Sequence, residues 1–308
     1  MGRTVLWTPD MASLGPACAA VGVFDGVHVG HQALVRDAVR IAAAEECASV
    51  VLTFDRDPDQ VVSPASAAPQ LLDLEDKLTY LAELGPDAIL VIPFDSSVAA
   101  MAPLVFLDRV LLGALRPVSV VVGYDFRFGH RAEGDVDTLV RYGREHDFTV
   151  IAHDLVSVDA APVTSTRVRR LVASGDVAGA ARLLGRPHRV KGDVVHGRAA
   201  GASLGAPTAN LAVGPFAAVP ADGVYAGRVS VDGTRYAAGI SVGVPPTFPG
   251  ATADFEAHLI DFDGDLYGRS VTVEFVERLR DQRAFDSEHE LADAIAADLD
   301  RVRGIVGE

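Results

Sequence analysis

His28 and His31 stand three residues apart in the stretch Phe24-Asp25-Gly26-Val27-His28-Val29-Gly30-His31. An apolar run from Ala19 to Phe24 ends at Asp25-Gly26, and an amphipathic stretch begins almost at once. That pattern predicts a buried strand, a tight glycine turn and a helix N-terminus. The first turn of a helix offers unpaired N–H groups and a partial positive charge, so it suits phosphate. Two imidazoles at this spacing can both turn toward a bound anion. The alternative is a pair of surface histidines on a loop, because so short a match also arises by chance. The strand, the two glycines and the helix register weigh toward a phosphate site.

Four other stretches could carry chemistry. Gly123 to Gly129 brackets an aromatic-rich segment and one arginine, directly after the apolar run Val118 to Val122. It could line a flat heterocycle and set Arg127 on its phosphate, or be a β-turn with core aromatics. In Thr164-Ser165-Thr166-Arg167-Val168-Arg169, Ser165 or Thr166 is the expected N-cap of a helix. Arg167 and Arg169 oppose that helix dipole, a small cost offset if they meet phosphate. Gly197 to Leu211 reads as a glycine-studded loop ending in Pro207-Thr208-Ala209-Asn210. Its small residues let backbone approach a phosphate, while the Thr208 hydroxyl and Asn210 carbonyl are oxygen ligands suited to magnesium. Alternation along Phe255 to Ile260 puts Glu256, His258 and Ile260 on one strand face. If that face looks into a pocket, Glu256 is a candidate general base; otherwise it is a solvated carboxylate.

These residues need elements to hold them. Apolar β-branched runs at Ala48 to Phe54, Ala88 to Phe94, Val118 to Val122 and Phe148 to His153 alternate with helical spacing. The helices are expected up to about Glu45, and over Leu74 to Leu84, Leu104 to Leu112 and Val136 to His146. Such alternation means βαβ units and a parallel sheet with both faces covered, whose ligands sit at the carboxyl ends of the strands. Those ends are Phe24 to His31, Phe54 to Pro58, Pro93 to Ser96 and Gly123 to Gly129. A further helix, Val177 to Leu184, ends at Gly185. From His188 the pattern changes to short β-rich segments, Arg189 to Val195, Gly223 to Val231, Arg235 to Val244, Asp254 to Phe262 and Ser270 to Leu279. Asp232-Gly233 and Asp263-Gly264 are expected as hairpin turns. The second half is therefore expected to be a small antiparallel barrel, closed by a helix with Leu291, Ile295, Leu299 and Val302 on one stripe. The boundary falls in Gly185-Arg186-Pro187, giving domains 1–185 and 186–308.

The chain has 308 residues and a net charge of −15, which argues against nonspecific binding to nucleic acid or an anionic membrane. Two cysteines, Cys18 and Cys47, exclude a disulfide framework and fit a reducing cytoplasm. No apolar run approaches the roughly eighteen residues of a membrane span, and no signal-peptide pattern opens the chain. A soluble cytoplasmic protein is expected. Neither a Walker A sequence nor a Gly-x-Gly-x-x-Gly fingerprint is present, so nucleotide binding would use the histidine-bearing turn.

Taken together, these stretches resemble the bacterial bifunctional riboflavin kinase / FAD synthetase family over essentially the whole chain. The resemblance lies in Gly22 to His31, Val122 to Gly129 and Ser165-Thr166-Arg167-Val168-Arg169. In the second half it lies in Leu204-Gly205-Ala206-Pro207-Thr208-Ala209-Asn210-Leu211, Pro246-Thr247-Phe248 and Glu256-Ala257-His258-Leu259-Ile260-Asp261-Phe262. It implies a Rossmann-like nucleotidyltransferase domain followed by a riboflavin kinase barrel. His28 and His31 would stabilise the α-phosphoryl transition state of ATP as the FMN phosphate attacks. Phe24, Gly26, Gly30, Asp125, Ser165, Thr166 and Arg169 would line the nucleotide site, with Ser165, Thr166 and Arg169 on the β- and γ-phosphates. In the kinase half Gly201 and Gly205 would approach ATP, Thr208 and Asn210 would ligate Mg2+, and Glu256 would take the ribityl proton. The implied partners are ATP, riboflavin and FMN.

The match departs at named positions. Arg56-Asp57-Pro58 stands where the family usually has Pro-His-Pro, an anion in place of a cation-capable group. Arg198-Ala199-Ala200-Gly201-Ala202 replaces Gly-x-Gly-Arg, and Arg280-Asp281-Gln282 replaces Arg-x-Glu. Two other readings follow from these departures: a riboflavin kinase whose nucleotidyltransferase half is weakened or altered in specificity, and a flavin-binding protein without turnover. FAD formation from FMN separates the first from the bifunctional enzyme, and ATP consumption separates the second.

Overall fold

The computed structural model describes residues 2–196, 208–243 and 254–307. Contacts divide the chain into two units, Met1–Ser165 and Thr166–Glu308. In the first, β1 (Arg3–Leu6), β2 (Pro16–Val21), β3 (Ala48–Phe54), β4 (Ala88–Ile92), β5 (Arg116–Gly123) and β6 (Thr149–His153) form one parallel sheet. Its strand order is β1-β4-β3-β2-β5-β6. The strands read as continuous apolar runs because both faces are covered. Along β3, Val50, Leu52 and Phe54 enter one core and Val51 the other. The second core is closed by α1 (Val29–Ala44) through Leu34, Val35 and Ala38, and by Leu81 of α3 (Leu74–Glu83). Here α2 (Asp59–Val62) and, later, α4 (Ser96–Ala99) are single turns. The first core is covered by Phe106, Val110 and Leu111 of a helical segment in which α5 (Pro103–Phe106) runs into π-helical turns at Leu107–Leu112, and by Leu139 and Tyr142 of α6 (Val136–Glu145).

The strand order reverses beside β2. The chain steps from β2 to β3 to β4 on one side, then returns to lay β5 against the other side of β2. A crevice opens at such a switch, outside the carboxyl ends of the strands. Phe24 to His31 follows β2 and Gly123 to Gly129 follows β5, so two of the four expected loops border it. Three short strands lay outside the expectation. β1 is a four-residue edge strand in which Leu6 is 60% exposed, and β7 (Ser157–Val158) pairs with β8 (Ala161–Pro162).

α7 (Ser165–Ala173) starts on the last residue of the first unit and continues into the second, which also holds α8 (Val177–Leu184). β9 (His188–Val195), β10 (Ala209–Val213), β11 (Gly223–Val231), β12 (Thr234–Gly243), β13 (Asp254–Leu259) and β14 (Ser270–Arg280) close a barrel in the order β10-β13-β12-β11-β14-β9. Val190, Tyr225, Val229, Ile240, Ala257 and Phe275 fill its interior. Its outer side carries Val224, Ala226, Ile260 and Leu279, which pack with Val302 and Val306 of α9 (Glu288–Val306). The helix stripe is thus shifted toward its end, since Val302 and Val306 are buried and Leu291 and Ile295 only partly so.

Three local expectations are corrected. α7 starts at Ser165 itself, so Ser165 and Thr166 are helical residues rather than N-caps. Asp232-Gly233, at φ 48° and 82°, makes the two-residue hairpin turn, but Asp263-Gly264 lies within the longer connection between β13 and β14. Asn210, expected at the end of a loop, lies inside β10, where its backbone pairs with β9 and β13.

Candidate active sites

The histidine turn is built from backbone that most residues avoid. Phe24 and Val27 adopt left-handed φ of 55° and 40° on either side of Gly26 at φ 80°. Two non-glycine residues so placed, one of them β-branched, mark stored strain of the kind that collects at ligand sites. The turn is held by buried Asp25, whose carboxylate accepts the Leu71 N–H at 3.0 Å and whose carbonyl accepts the Ser165 hydroxyl at 2.9 Å. Ser165 is thereby brought to the histidine turn.

His28 is the N-cap of α1, and its Nδ1 accepts the backbone N–H of His31 at 3.2 Å. That nitrogen therefore carries no proton, and Nε2 is the N–H of the neutral ring. The His28 and His31 rings stack at 3.5 Å between centroids, and Phe24 stands edge-on to His31 at 5.3 Å. Gly30 permits the stack, since a Cβ there would press on the His28 ring at 3.2 Å. Burial, with His28 and Lys77 beside it, holds the His31 imidazole well below its usual range, so it stays neutral at pH 7. Two imidazolium rings at this separation would repel. The pair acts as hydrogen-bond donors at a helix N-terminus rather than as two fixed cations.

Lys77 was not foreseen. It sits on α3, 5% exposed, and its Nζ donates to the Phe54 carbonyl at 2.6 Å and the Val23 carbonyl at 3.4 Å. Burial pushes its ammonium down to about 8, against the pull of Asp25, Asp57 and Asp55. The signal was present in the sequence. Leu74, Lys77, Leu78 and Leu81 share one helical stripe, so a lysine occupies a core-facing position. Asp57, the departure after β3, lies close enough to Lys77 to act on its charge.

The segment after β5 divides between core and surface. Phe128 is buried in the first core and stacks with Phe126 at 5.5 Å, so both are packing residues. Arg127 Nε donates to the Ala132 carbonyl at 2.9 Å. Of the two readings open for this segment, Phe126 and Phe128 follow that of core aromatics, while Tyr124 and Asp125 are exposed at the crevice. Thr166 and Arg169 follow in α7, within the second unit.

In the barrel, Asn210 of β10 and Ser241 of β12 both lie opposite Glu256 of β13. Residues directly opposite share a face, so the three side chains form one row. It is the outer face, because Phe255, Ala257 and Leu259 point into the barrel core. Gln282 donates from Nε2 to the Ser241 hydroxyl at 2.8 Å and to the Val242 carbonyl at 3.2 Å, anchoring one end of the row. A cavity of about 330 Å³ is lined by Thr208, Ala209, Leu259, Phe262, Asp263 and Tyr267, of which Ala209 and Leu259 belong to the barrel core. The Tyr267 ring stacks on His196 at 4.0 Å. Thr208 directly precedes β10 and Asn210 lies within it. Their donors are oxygens only, which fits a hard cation that takes few protein ligands and completes its shell with phosphate and water. Gly201, Gly205, the altered stretch with Ala199, Ala200 and Ala202, and Pro246-Thr247-Phe248 lie outside the described residues.

A phosphate-suited imidazole pair at the switch point of a parallel sheet, in one chain with a barrel that sets a lone carboxylate between an amide and a hydroxyl, fits a two-site nucleotide-dependent transferase. Comparison with known proteins gives the class a family. Residues 10–167 match the family model for FAD synthetase and residues 184–306 that for riboflavin kinase. The bifunctional riboflavin kinase/FMN adenylyltransferase of Pseudomonas fluorescens is 38% identical over 93% of this chain and 92% of its own length. Its namesake from Escherichia coli is 36% identical over 90% of this chain and 89% of its own. This chain belongs to that bifunctional family. A solved structure named as a macrolide-efflux protein from Streptococcus pneumoniae is 32% identical, with a TM-score of 0.86, covering 97% of this chain and 98% of that one. Its name speaks of efflux; among the described residues here, no helix is long and apolar enough to cross a membrane.

Proposed function

We propose that this chain converts riboflavin to FMN at the outer face of its barrel and FMN to FAD at the histidine turn, using ATP in both steps. The division of labour we propose is 1–185 for adenylyl transfer and 186–308 for phosphorylation. The observation that carries the reading is the stacked His28–His31 pair at the sheet's switch point, in the same chain as a barrel whose Glu256 lies opposite Asn210 and Ser241.

In the kinase step Glu256 accepts the proton of the ribityl hydroxyl as that oxygen attacks the γ-phosphorus and ADP leaves. The cavity bordered by Phe262 and Tyr267 takes the flat base of ATP, with its phosphates toward Thr208. Thr208 and Asn210 would hold Mg2+, which when bound neutralises phosphate charge. In the adenylyl step a phosphate oxygen of FMN attacks the α-phosphorus of ATP and pyrophosphate leaves. His28 donates from Nε2, and His31 beside it, to the charge that develops on the α-phosphoryl oxygens. Ser165, with Thr166 and Arg169 on the same helix, grips the outgoing phosphates. Phe24, Gly26 and Gly30 shape the turn, and Asp125 stands at the crevice rim. A cytoplasmic location is supported by the two free thiols, Cys18 and Cys47.

The test is one incubation of the purified chain with riboflavin, ATP and magnesium, its flavins separated by chromatography. Both FMN and FAD are expected. FAD missing from a reaction saturated with FMN would overturn the adenylyl half, and absence of FMN would overturn the kinase half. One observation favours a second reading, a kinase with a slowed adenylyl site: the Asp57 carboxylate lies within electrostatic reach of Lys77 beside the turn. Faster FAD formation in Asp57→His would support it.

A further inference from the structure

Lys77 is a buried charge that the proposed steps leave unused. Lysines are rarely buried unless something holds them, because removing an ammonium from water is costly. Here the return is specific. Nζ donates to the carbonyl of Phe54, the last residue of β3, and to that of Val23, just past β2. The Thr53 hydroxyl also donates to Val23, at 3.0 Å. One strand end leads into the turn bearing His28 and His31, and the other into Asp55-Arg56-Asp57-Pro58.

We infer that Lys77 is a positioning residue for adenylyl transfer: its ammonium ties the carboxyl ends of β2 and β3 together and so fixes the left-handed turn that presents His28 and His31. The inference rests on the adenylyl reading of that pair. Four groups from three elements face the ammonium: Asp25 from the turn, Asp55 and Asp57 from the loop after β3, and His31 from α1. Asp55 is itself paired with Arg56 at 2.8 Å. A charge-assisted hydrogen bond weakens when its donor loses the charge. Loss of the Lys77 proton also removes the positive charge that helps keep His31 neutral. Because Lys77 titrates near pH 8, the deprotonation falls in an accessible range.

The experiment follows FAD formation from FMN, and FMN formation from riboflavin, across pH in the full chain, Lys77→Met and Lys77→Arg. In the unmodified chain FAD formation is expected to fall above about pH 8, with no matching limb in FMN formation. Lys77→Met should lower FAD formation at least about tenfold at neutral pH, lack that limb, and leave FMN formation within about twofold. Lys77→Arg, charged throughout, should keep most of the rate and move the limb upward by about one pH unit or more. FAD formation in Lys77→Met within about twofold of the unmodified chain, or an unmoved limb in Lys77→Arg, overturns the inference. If Lys77→Met does not fold, the Lys77→Arg profile decides alone. An unmodified chain that makes no FAD would overturn the adenylyl reading first and this inference with it.

Discussion

His28 has two duties in one ring. Nδ1 caps α1 by accepting the His31 N–H, and Nε2 is left for the ligand. The duties separate by substitution. His28→Asn keeps a side-chain oxygen at the N-cap, whereas His28→Ala removes cap and donor together, at about 1 kcal/mol of helix stability. Both should lower FAD formation by about a hundredfold or more, while only the alanine variant lowers the melting temperature of the sheet unit. His188 offers a test of the barrel. It is 1% exposed, gives its Nε2–H to the Ala218 carbonyl at 2.7 Å, and is pushed down to about 4 by burial. Below pH 6.5 the unfolded chain binds a proton at this ring that the folded chain refuses until about pH 4. Stability therefore falls with pH across that window, by about 1.4 kcal/mol per unit at most. Denaturant unfolding at several pH values should show this slope reduced in His188→Gln. Residue roles were unevenly legible in the sequence. His28 and His31 stood out by their spacing at an expected helix start and Glu256 by strand alternation, but the aromatics after β5 looked the same as core or platform. Lys77 escaped because its partners are backbone carbonyls more than twenty positions away, and no local pattern names them.

At the scale of elements the alternation of strand and helix was readable, because in a covered parallel sheet burial writes itself into every strand residue. β3 and α8 fall where the apolar runs place them. β1 was invisible because a four-residue edge strand with three exposed residues carries no periodicity, and β10 because its neighbours are glycine, proline and alanine, which read as loop. The barrel depends on a close approach that sequence does not announce. A Cβ at Gly227 of β11 would run into the Glu274 carbonyl of β14, beside a register irregularity at Ala226/Gly227. Gly227→Ala should therefore destabilise the barrel by roughly 1–3 kcal/mol, read from its thermal transition. The same change at Gly214, where nothing lies within 4 Å, should cost far less.

For the whole molecule, two sets of cores serve two chemistries. The sheet cores draw only on the first unit and the barrel core only on the second. Glu256→Gln should lower FMN formation by about a hundredfold to ten-thousandfold. FAD formation from supplied FMN should remain within about twofold. Chromatography of the two reactions run separately checks it. A net charge of −15 means the phosphates of either reaction are met by local donors, a few side chains and helix N–H groups, against the field of the whole. The pairing of Asn210 and Ser241 with Glu256 bears finally on how such a chain can change over generations. A one-residue insertion in β13 ahead of Glu256 would send the base into the barrel and bring its apolar neighbours out. A two-residue insertion would restore the face but slide the base about 7 Å from its partners. Length can drift in the connection after Leu259, while β13 itself can be rewritten only by substitution.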